Sequence, residues 1–131
     1  MIKNPKSLKR GSEIYKVYNG QIDTFVIVSK SKVDADFAKA TFNYRKEGDY
    51  YFEFVSEDDW NPNRKRWTDN SRSGYYLMSD SLEYMQANND YCDREYYDDF
   101  DDATIEAINQ LKEIKERKRK EREIKKSLKV A

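Results

Sequence analysis

The amino-acid sequence predicts an α+β fold, with a small β-barrel or bent antiparallel sheet followed by C-terminal helices. Short runs of β-branched and aromatic residues, separated by turn signals, fill residues 1–79. An apolar repeat of three- and four-residue steps then appears further along the chain. In 131 residues, 38% of the side chains are charged and 11 are tyrosine, so the core must be small and partly aromatic. We therefore predict a β domain at residues 1–79 and, at residues 80–131, an acidic helical segment followed by a basic C-terminal helix.

The first hairpin carries the strongest local signal. Asn19-Gly20 joins two strand-like runs at residues 13–18 and 21–28, and a two-residue turn of this kind needs the positive φ that Asn and Gly tolerate. Three more strands are predicted at residues 37–44, 50–55 and 75–78. Five short strands favour a closed or strongly bent sheet, because an open sheet would leave unprotected edges. We expect alternating apolar residues to form most of the core: Ile14, Val17, Ile22, Val26, Val28, Phe42, Phe52 and Phe54.

The second part of the chain is predicted to be helical. Asp80 precedes Leu82, with Glu83 three residues on, which resembles a capping box at a helix start. One face of a later helix carries residues at three- and four-residue steps: Tyr97, Phe100, Thr104, Ala107, Ile108, Leu111 and Ile114. Residues 115–123 contain no apolar side chain, so the helix there is expected to project into solvent or fray.

The composition argues against several classes of active site. The chain has no histidine, which excludes Ser-His and Cys-His pairs and imidazole metal sites. The single cysteine, Cys92, cannot form an internal disulfide, which suits a reducing compartment. No apolar run is long enough to span a bilayer. We therefore expect a non-enzymatic, cytoplasmic protein with no cofactor, metal ion or membrane contact.

Charge is distributed unevenly along a chain whose net charge is zero. Residues 1–79 carry +3, residues 80–106 carry −9 and residues 107–131 carry +6. This asymmetry points to two separate surfaces of opposite sign.

An acidic-aromatic segment spans residues 90–102, with seven acids and four aromatic residues. The acids could imitate nucleic-acid phosphates and occupy a basic groove on a partner. Alternatively, they complement the dipole of the helix that follows. We expect Tyr97 and Phe100 to face the body, and Asp93, Asp98, Asp99 and Asp102 to face outward because no nearby cation offsets their burial. The partner-binding residues predicted here are Asp93, Tyr96, Asp98, Asp99, Asp101 and Asp102.

A tryptophan loop follows the fourth predicted strand. Trp60 and Trp67 flank three consecutive cations, Arg64, Lys65 and Arg66. An indole beside a basic cluster can stack on a base while the cations hold phosphates. The alternative is that the indoles cover one end of the barrel and the cations are solvated. Trp60 and Trp67 are also predicted to contact a protein partner.

The tail from Lys112 to Lys129 holds ten cations and four acids. Nucleic-acid contact through Arg117, Lys118 and Arg119 is one interpretation. The alternative is a solvated helix held by pairs such as Glu116–Lys120 and Glu121–Lys125. A coiled coil is disfavoured by the lack of apolar residues between Ile114 and Ile124.

Two resemblances bear on fold and function. The segment Lys9-Arg10-Gly11-Ser12-Glu13-Ile14-Tyr15-Lys16-Val17-Tyr18-Asn19-Gly20-Gln21-Ile22, continuing to Val26-Ile27-Val28, resembles the opening of SH3-like and KOW-like barrels. This resemblance implies an SH3-like β domain at residues 1–79. The short chain, rich in Tyr, Lys and Asp with a charged helical tail, is similar to small accessory proteins of tailed bacteriophages. That similarity implies an early-type protein that acts in the host cytoplasm.

The sequence thus favours a protein that binds a host protein, for example a nucleic-acid-binding one, and inhibits or redirects it. An anti-defence role is one such function. The alternative is a nucleic-acid-binding module that uses Arg64, Lys65, Arg66, Trp67 and the basic helix.

Overall fold

The computed structural model describes residues 1–41, 45–68, 74–86 and 96–130. Its architecture is α+β, as predicted: a five-stranded antiparallel sheet with a long C-terminal helix. The strands are β1 (Glu13–Tyr18), β2 (Gln21–Lys32), β3 (Tyr50–Ser56), β4 (Met78–Ser81) and β5 (Tyr96–Tyr97). The helices are α1 (Ala35–Ala40), α2 (Leu82–Gln86) and α3 (Phe100–Val130), with 3-10 turns at Pro5–Ser7 and Glu57–Asp59. The sheet order is β4-β3-β2-β1-β5, so the short last strand returns to the side of the first.

The predicted β1–β2 hairpin is confirmed. Tyr18 pairs with Gln21, and the turn residues Asn19 and Gly20 have φ values of 50° and 76°. Strand β2 is long, and its register with β3 shifts between Ile27 and Ser29. Such a bulge bends a strand, which lets β2 take part in two differently oriented halves of the sheet.

The strand predicted at residues 37–44 is wrong, because α1 begins at Ala35 instead. The Asp34 carboxylate accepts a hydrogen bond from the Phe37 N–H at 2.7 Å, which satisfies a free donor of the first helical turn. Three alanines among the six helical residues favour the helix further. Phe42, predicted for the core, lies outside the described residues.

The strand predicted at residues 75–78 is displaced towards the C-terminus. β4 starts only at Met78, and Tyr75 packs its ring against Trp67. Asp80, predicted to cap a helix, is buried within β4. The α2 helix begins at Leu82, and it is the Ser81 hydroxyl that accepts from the Tyr84 N–H, at 3.4 Å.

The core contains six of the eight predicted residues: Ile14, Val17, Val26, Val28, Phe52 and Phe54. Ile22 is half-buried against a second, smaller cluster. The N-terminal residues Ile2 and Leu8 are buried beside Phe52 and Phe54, which no local pattern predicted.

Lys30 fastens this N-terminal segment to the sheet. Its Nζ donates to the Leu8 carbonyl at 2.8 Å and to the Pro5 carbonyl at 3.0 Å, and it lies 4.5 Å from the centre of the Tyr50 ring. Ile2 and Leu8 are thereby held in the core by a residue of β2.

Helix α3 packs on β1 through small side chains. Ala103 and Ala107 are buried against Val17. The predicted apolar stripe is partly wrong: Phe100, Ile108 and Leu111 are each about half exposed, and Tyr97 belongs to β5 rather than to the helix. Larger residues on the contact face would hold the helix further from the sheet.

The β1–β2 turn anchors the middle of α3. The Gly20 N–H donates to Gln110 Oε1 at 3.0 Å. Leu111 lies so close to Gly20 that a Cβ at that position would overlap the leucine side chain. Gly20 therefore serves both the positive φ of the turn and the approach of the helix.

Replacing Phe52 with Ala should lower the free energy of unfolding by about 3–5 kcal/mol, because the ring is fully buried and its loss leaves a cavity. Urea denaturation would measure this. Tyr76→Ala is the control, since that ring is 68% exposed and should cost less than about 0.5 kcal/mol. Equal unfolding midpoints for the two variants would contradict the position of Phe52.

Candidate functional site

The acidic-aromatic segment is only partly described, because Asp93 lies outside the described residues. Tyr96 is 5% exposed, so it belongs to the core rather than to a contact surface as predicted. Its ring packs edge-on against Phe54. The backbone pairing of β5 with β1 turns Tyr96 inward, a contact that periodicity within the segment alone does not reveal.

The expectation that Asp98 and Asp102 point outward without a cation nearby is wrong, whereas Asp99 is exposed as expected. The Asp98 carboxylate accepts from the N–H groups of Lys3 at 3.1 Å and Asn4 at 2.7 Å. The Asp102 carboxylate pairs with the Lys3 Nζ at 2.9 Å, and this contact raises the pKa of Lys3 above its usual value. Lys3 comes from the opposite end of the chain, which is why the local sequence did not predict it.

Asp99 caps α3. Its carboxylate accepts from the Asp101 N–H at 3.1 Å, and its carbonyl accepts from the Ala103 N–H at 3.1 Å. Phe100 is half exposed, although it meets the Tyr15 ring edge-on at 5.3 Å. Of the four predicted contact acids at 98–102, Asp99 and Asp101 are exposed, whereas Asp98 and Asp102 are half-buried.

An open cleft of about 620 Å³ lies between the N-terminal segment, β1 and the start of α3. Its lining includes Lys3, Glu13, Tyr15, Asp98, Asp99 and Asp102. Burial and a hydrogen bond to Glu13 raise the pKa of Tyr15 to about 12, so its hydroxyl stays protonated at neutral pH. Within the described ranges, no His, Cys, Asp or Glu side chains are grouped so that they could hold a metal ion.

The tryptophan loop packs against itself. The Trp60 and Trp67 rings stack nearly parallel, with centroids 5.8 Å apart. The Arg10 guanidinium lies 5.4 Å from the Trp60 ring, and the Arg64 guanidinium lies 5.1 Å from the Trp67 ring. Arg10 also donates to the Arg64 carbonyl at 2.6 Å. Each indole is half-buried and already has another ring and a cation packed against it, while Lys65 and Arg66 are exposed.

The tail of α3 carries the largest exposed charge. Every side chain from Lys115 to Lys129 is exposed. Successive residues of an α-helix are rotated by about 100°, and on this projection eight cations of the tail fall within an arc of about 140° that contains no other side chain of residues 112–129. We call this arc the cationic face: Lys112, Lys115, Lys118, Arg119, Arg122, Lys125, Lys126 and Lys129. Of the three predicted contact residues, Lys118 and Arg119 lie on it and Arg117 lies on the opposite side.

The acids of the tail lie outside the cationic face. The two acids at its edge, Glu116 and Glu123, form ion pairs with a member of the face. Arg119 binds Glu116 at 2.5 Å and Glu123 at 2.6 Å. The Arg119 hydrogen bond lowers the pKa of Glu116, which remains ionised. Glu116 was expected to pair with Lys120. The observed partner is Arg119, whose guanidinium pairs with the carboxylates of both Glu116 and Glu123.

The tryptophan loop and the cationic face lie at opposite ends of β1. Trp60 adjoins Gly11, just before the strand, and Leu111 of α3 adjoins Gly20, just after it. The six residues of β1 separate these ends by about 20 Å. The two surfaces predicted to contact nucleic acid are therefore not continuous.

Replacing Asp98 with Ala should lower the free energy of unfolding by about 1–3 kcal/mol, because the N–H groups of Lys3 and Asn4 lose their acceptor. Amide hydrogen exchange at these two residues should accelerate as well. The matched control is Asp101→Ala, which removes the same charge from an exposed position and should cost about 0.5 kcal/mol at a helix start. Equal losses in both variants would show that only the charge of Asp98 matters.

Neither the geometry of the sheet nor comparison with known proteins assigns the chain to a family. No helix in the described part of the chain is long and apolar enough to cross a membrane. No family model matches the sequence, and no curated protein or solved structure is similar to it. Its function must be inferred from the surfaces described above.

Proposed function

We propose that this protein is a non-enzymatic nucleic-acid-binding module that uses the cationic face of α3. The segregation of eight cations onto one exposed side of a projecting helix is the observation that carries this proposal. A helix that was merely solvated would gain nothing from collecting its cations on one side, whereas a polyanion can contact them together.

The electrostatics favour a phosphate backbone as the ligand. Each phosphate that a lysine or arginine neutralises releases a condensed counterion, which is the main source of affinity in sequence-independent binding. The acids Glu116 and Glu123, which border the cationic face, are held by Arg119 and so repel an approaching phosphate less. Within the described chain, Arg119 is the one member of the face in an ion pair, so seven cations are free for a ligand.

In this proposal the sheet is the scaffold that sets the direction of α3. Because β5 returns to β1 in an antiparallel sheet with a bent β2, the strand order supports an SH3-like half-barrel as its fold. The contacts of Gln110 and Leu111 with Gly20 set the point at which α3 leaves that scaffold.

The second candidate function is that of a phage-type accessory protein that binds a host protein in the host cytoplasm. The carboxylate-rich cleft favours it, since Glu13 and Asp99, which line the cleft, are exposed and could receive a basic segment. Retention on heparin would support the first function, and retention on an anion exchanger at the same pH would support the second.

The pair Lys118→Gln and Arg122→Gln should weaken nucleic-acid binding, because both residues lie on the cationic face. Fluorescence anisotropy with a mixed pool of labelled DNA and RNA would measure this. At about 50 mM salt we expect a loss of about tenfold or more, and the slope of log K against log salt should become shallower by about 2.

The matched control is Arg117→Gln with Lys120→Gln. It removes one arginine and one lysine from the same turns but from the opposite side of the helix. We expect it to change affinity by less than about threefold. Equal losses for the two pairs would mean that net charge, rather than the cationic face, accounts for binding.

The tryptophan loop is expected to stay apart from this interaction. The chain has two tryptophans, Trp60 and Trp67, so their emission reports on that loop alone. Saturation with nucleic acid should leave the emission intensity unchanged, because both rings are packed by Arg10, Arg64 and each other. Strong quenching would indicate that a base stacks on an indole, and would move the site to the loop.

A further inference from the structure

We infer that the ligand of the cationic face is double-stranded B-form DNA, bound through its phosphates without regard to sequence. This inference rests on the proposed function and narrows it to one class of nucleic acid. Three properties of residues 112–129 of α3 support it: the lack of aromatic residues, the collection of the cations on one face, and the predominance of lysine among them.

A single strand is a poor match for α3. Proteins that bind single strands combine cations with aromatic platforms on which unpaired bases stack. Residues 101–131 include no Phe, Tyr or Trp. The two indoles that could stack on bases lie at the far end of β1 and are packed by their own chain.

The shape of the helix matches a groove of a duplex. From Lys112 to Lys129 the cationic face extends about 26 Å along the helix axis, at 1.5 Å per residue. On the helical projection the eight cations are evenly spaced, about 20° apart, from Lys125 at one edge of the face to Lys112 at the other.

The two edges of the face are about 140° apart on the helix. An α-helix with its side chains is about 10–12 Å across, and the major groove of B-form DNA is about 12 Å wide. A helix lying in that groove can therefore direct the cations at each edge of the face to the phosphates of a different strand. Glu113 faces away from the duplex, whereas Glu116 and Glu123 border the face and are held by Arg119.

Double-stranded RNA does not offer the same fit. The major groove of an A-form helix is deep and narrow, so an α-helix cannot enter it. Its wide minor groove presents hydroxyl groups and base edges rather than two phosphate walls at helix spacing. The same eight cations would then reach phosphates of one strand at a time.

The residue types on the face argue against base recognition. Six of its eight cations are lysines, which contact phosphates as point charges. Base reading uses bidentate contacts, from Arg or Lys at guanine and from Asn or Gln at adenine. Residues 111–131 contain no Asn or Gln, and Arg119 is held between Glu116 and Glu123. Arg122 is therefore the one arginine of the face that is free to offer its planar guanidinium to guanine.

The test uses the full-length protein and four labelled probes of about 20 nucleotides or base pairs: two DNA duplexes of unrelated sequence, one of their single strands, and the matching RNA duplex. Fluorescence anisotropy at about 50 mM and about 200 mM salt gives the affinities. We expect the two DNA duplexes to agree within about twofold and to bind about tenfold tighter than either other probe. The K118Q/R122Q pair should weaken DNA binding and the R117Q/K120Q pair should not.

Different outcomes separate this inference from the proposed function. Equal affinity for all four probes, lost in K118Q/R122Q, would overturn the preference for DNA but leave nucleic-acid binding standing. A difference of more than about tenfold between the two DNA duplexes would overturn sequence independence. If polyglutamate competed as well as duplex DNA at equal charge, the face would be a general docking site for acidic chains, and the inference would fail. If no probe bound at the lower salt concentration, both proposals would fall.

Discussion

Two alanines and a glycine bring α3 against the first hairpin, and the arrangement of the rest of the chain follows from that contact. Ala103 and Ala107 are small enough to be buried on Val17, and Gly20 leaves room for Leu111. The hydrogen bond from the Gly20 N–H to Gln110 fixes the rotation of the helix about its axis. Rotation and position together determine which side chains face the sheet, so the side chains from Lys115 to Lys129 are directed into solvent. A larger residue at any of these three positions would change the direction of the whole tail.

The acids near the start of α3 are mainly structural. Asp98 and Asp102 hold the N-terminal segment, which carries Ile2 and Leu8 into the core, and Asp99 caps the helix. Their negative charge also complements the positive end of the helix dipole, while the cations of the tail lie toward its negative end. The strong charge asymmetry of the sequence thus stabilises one long helix from both ends. The same asymmetry places the positive charge far from the acids that would weaken its field.

Local signals in the sequence were sufficient for some features and not for others. The Asn19-Gly20 hairpin was predictable because the turn depends on the conformational freedom of two adjacent residues. The failure at residues 37–44 arose because a single cap, Asp34, outweighed an alternating pattern. The roles of Asp98 and Tyr96 could not be predicted, since they depend on Lys3 and β1, which are distant in the sequence. The cationic face is different, because helical spacing alone reveals it once the tail is known to be one uninterrupted helix.

The cationic face also affects the stability of the helix that carries it. Its members lie three and four residues apart, and like charges at these distances destabilise an isolated helix by about 0.2–0.5 kcal/mol per pair. In the part of the chain that the structure describes, the side chains from Lys115 to Lys129 are all exposed, so burial does little to offset this repulsion. A segment of this length is only marginally helical alone. The ion pairs of Arg119 with Glu116 and Glu123 oppose this repulsion at the middle of the tail. A bound polyanion would remove the repulsion along the entire face. On the proposed function, folding of the tail and binding of nucleic acid are therefore coupled, because the arrangement that weakens the free helix is the one that the ligand stabilises.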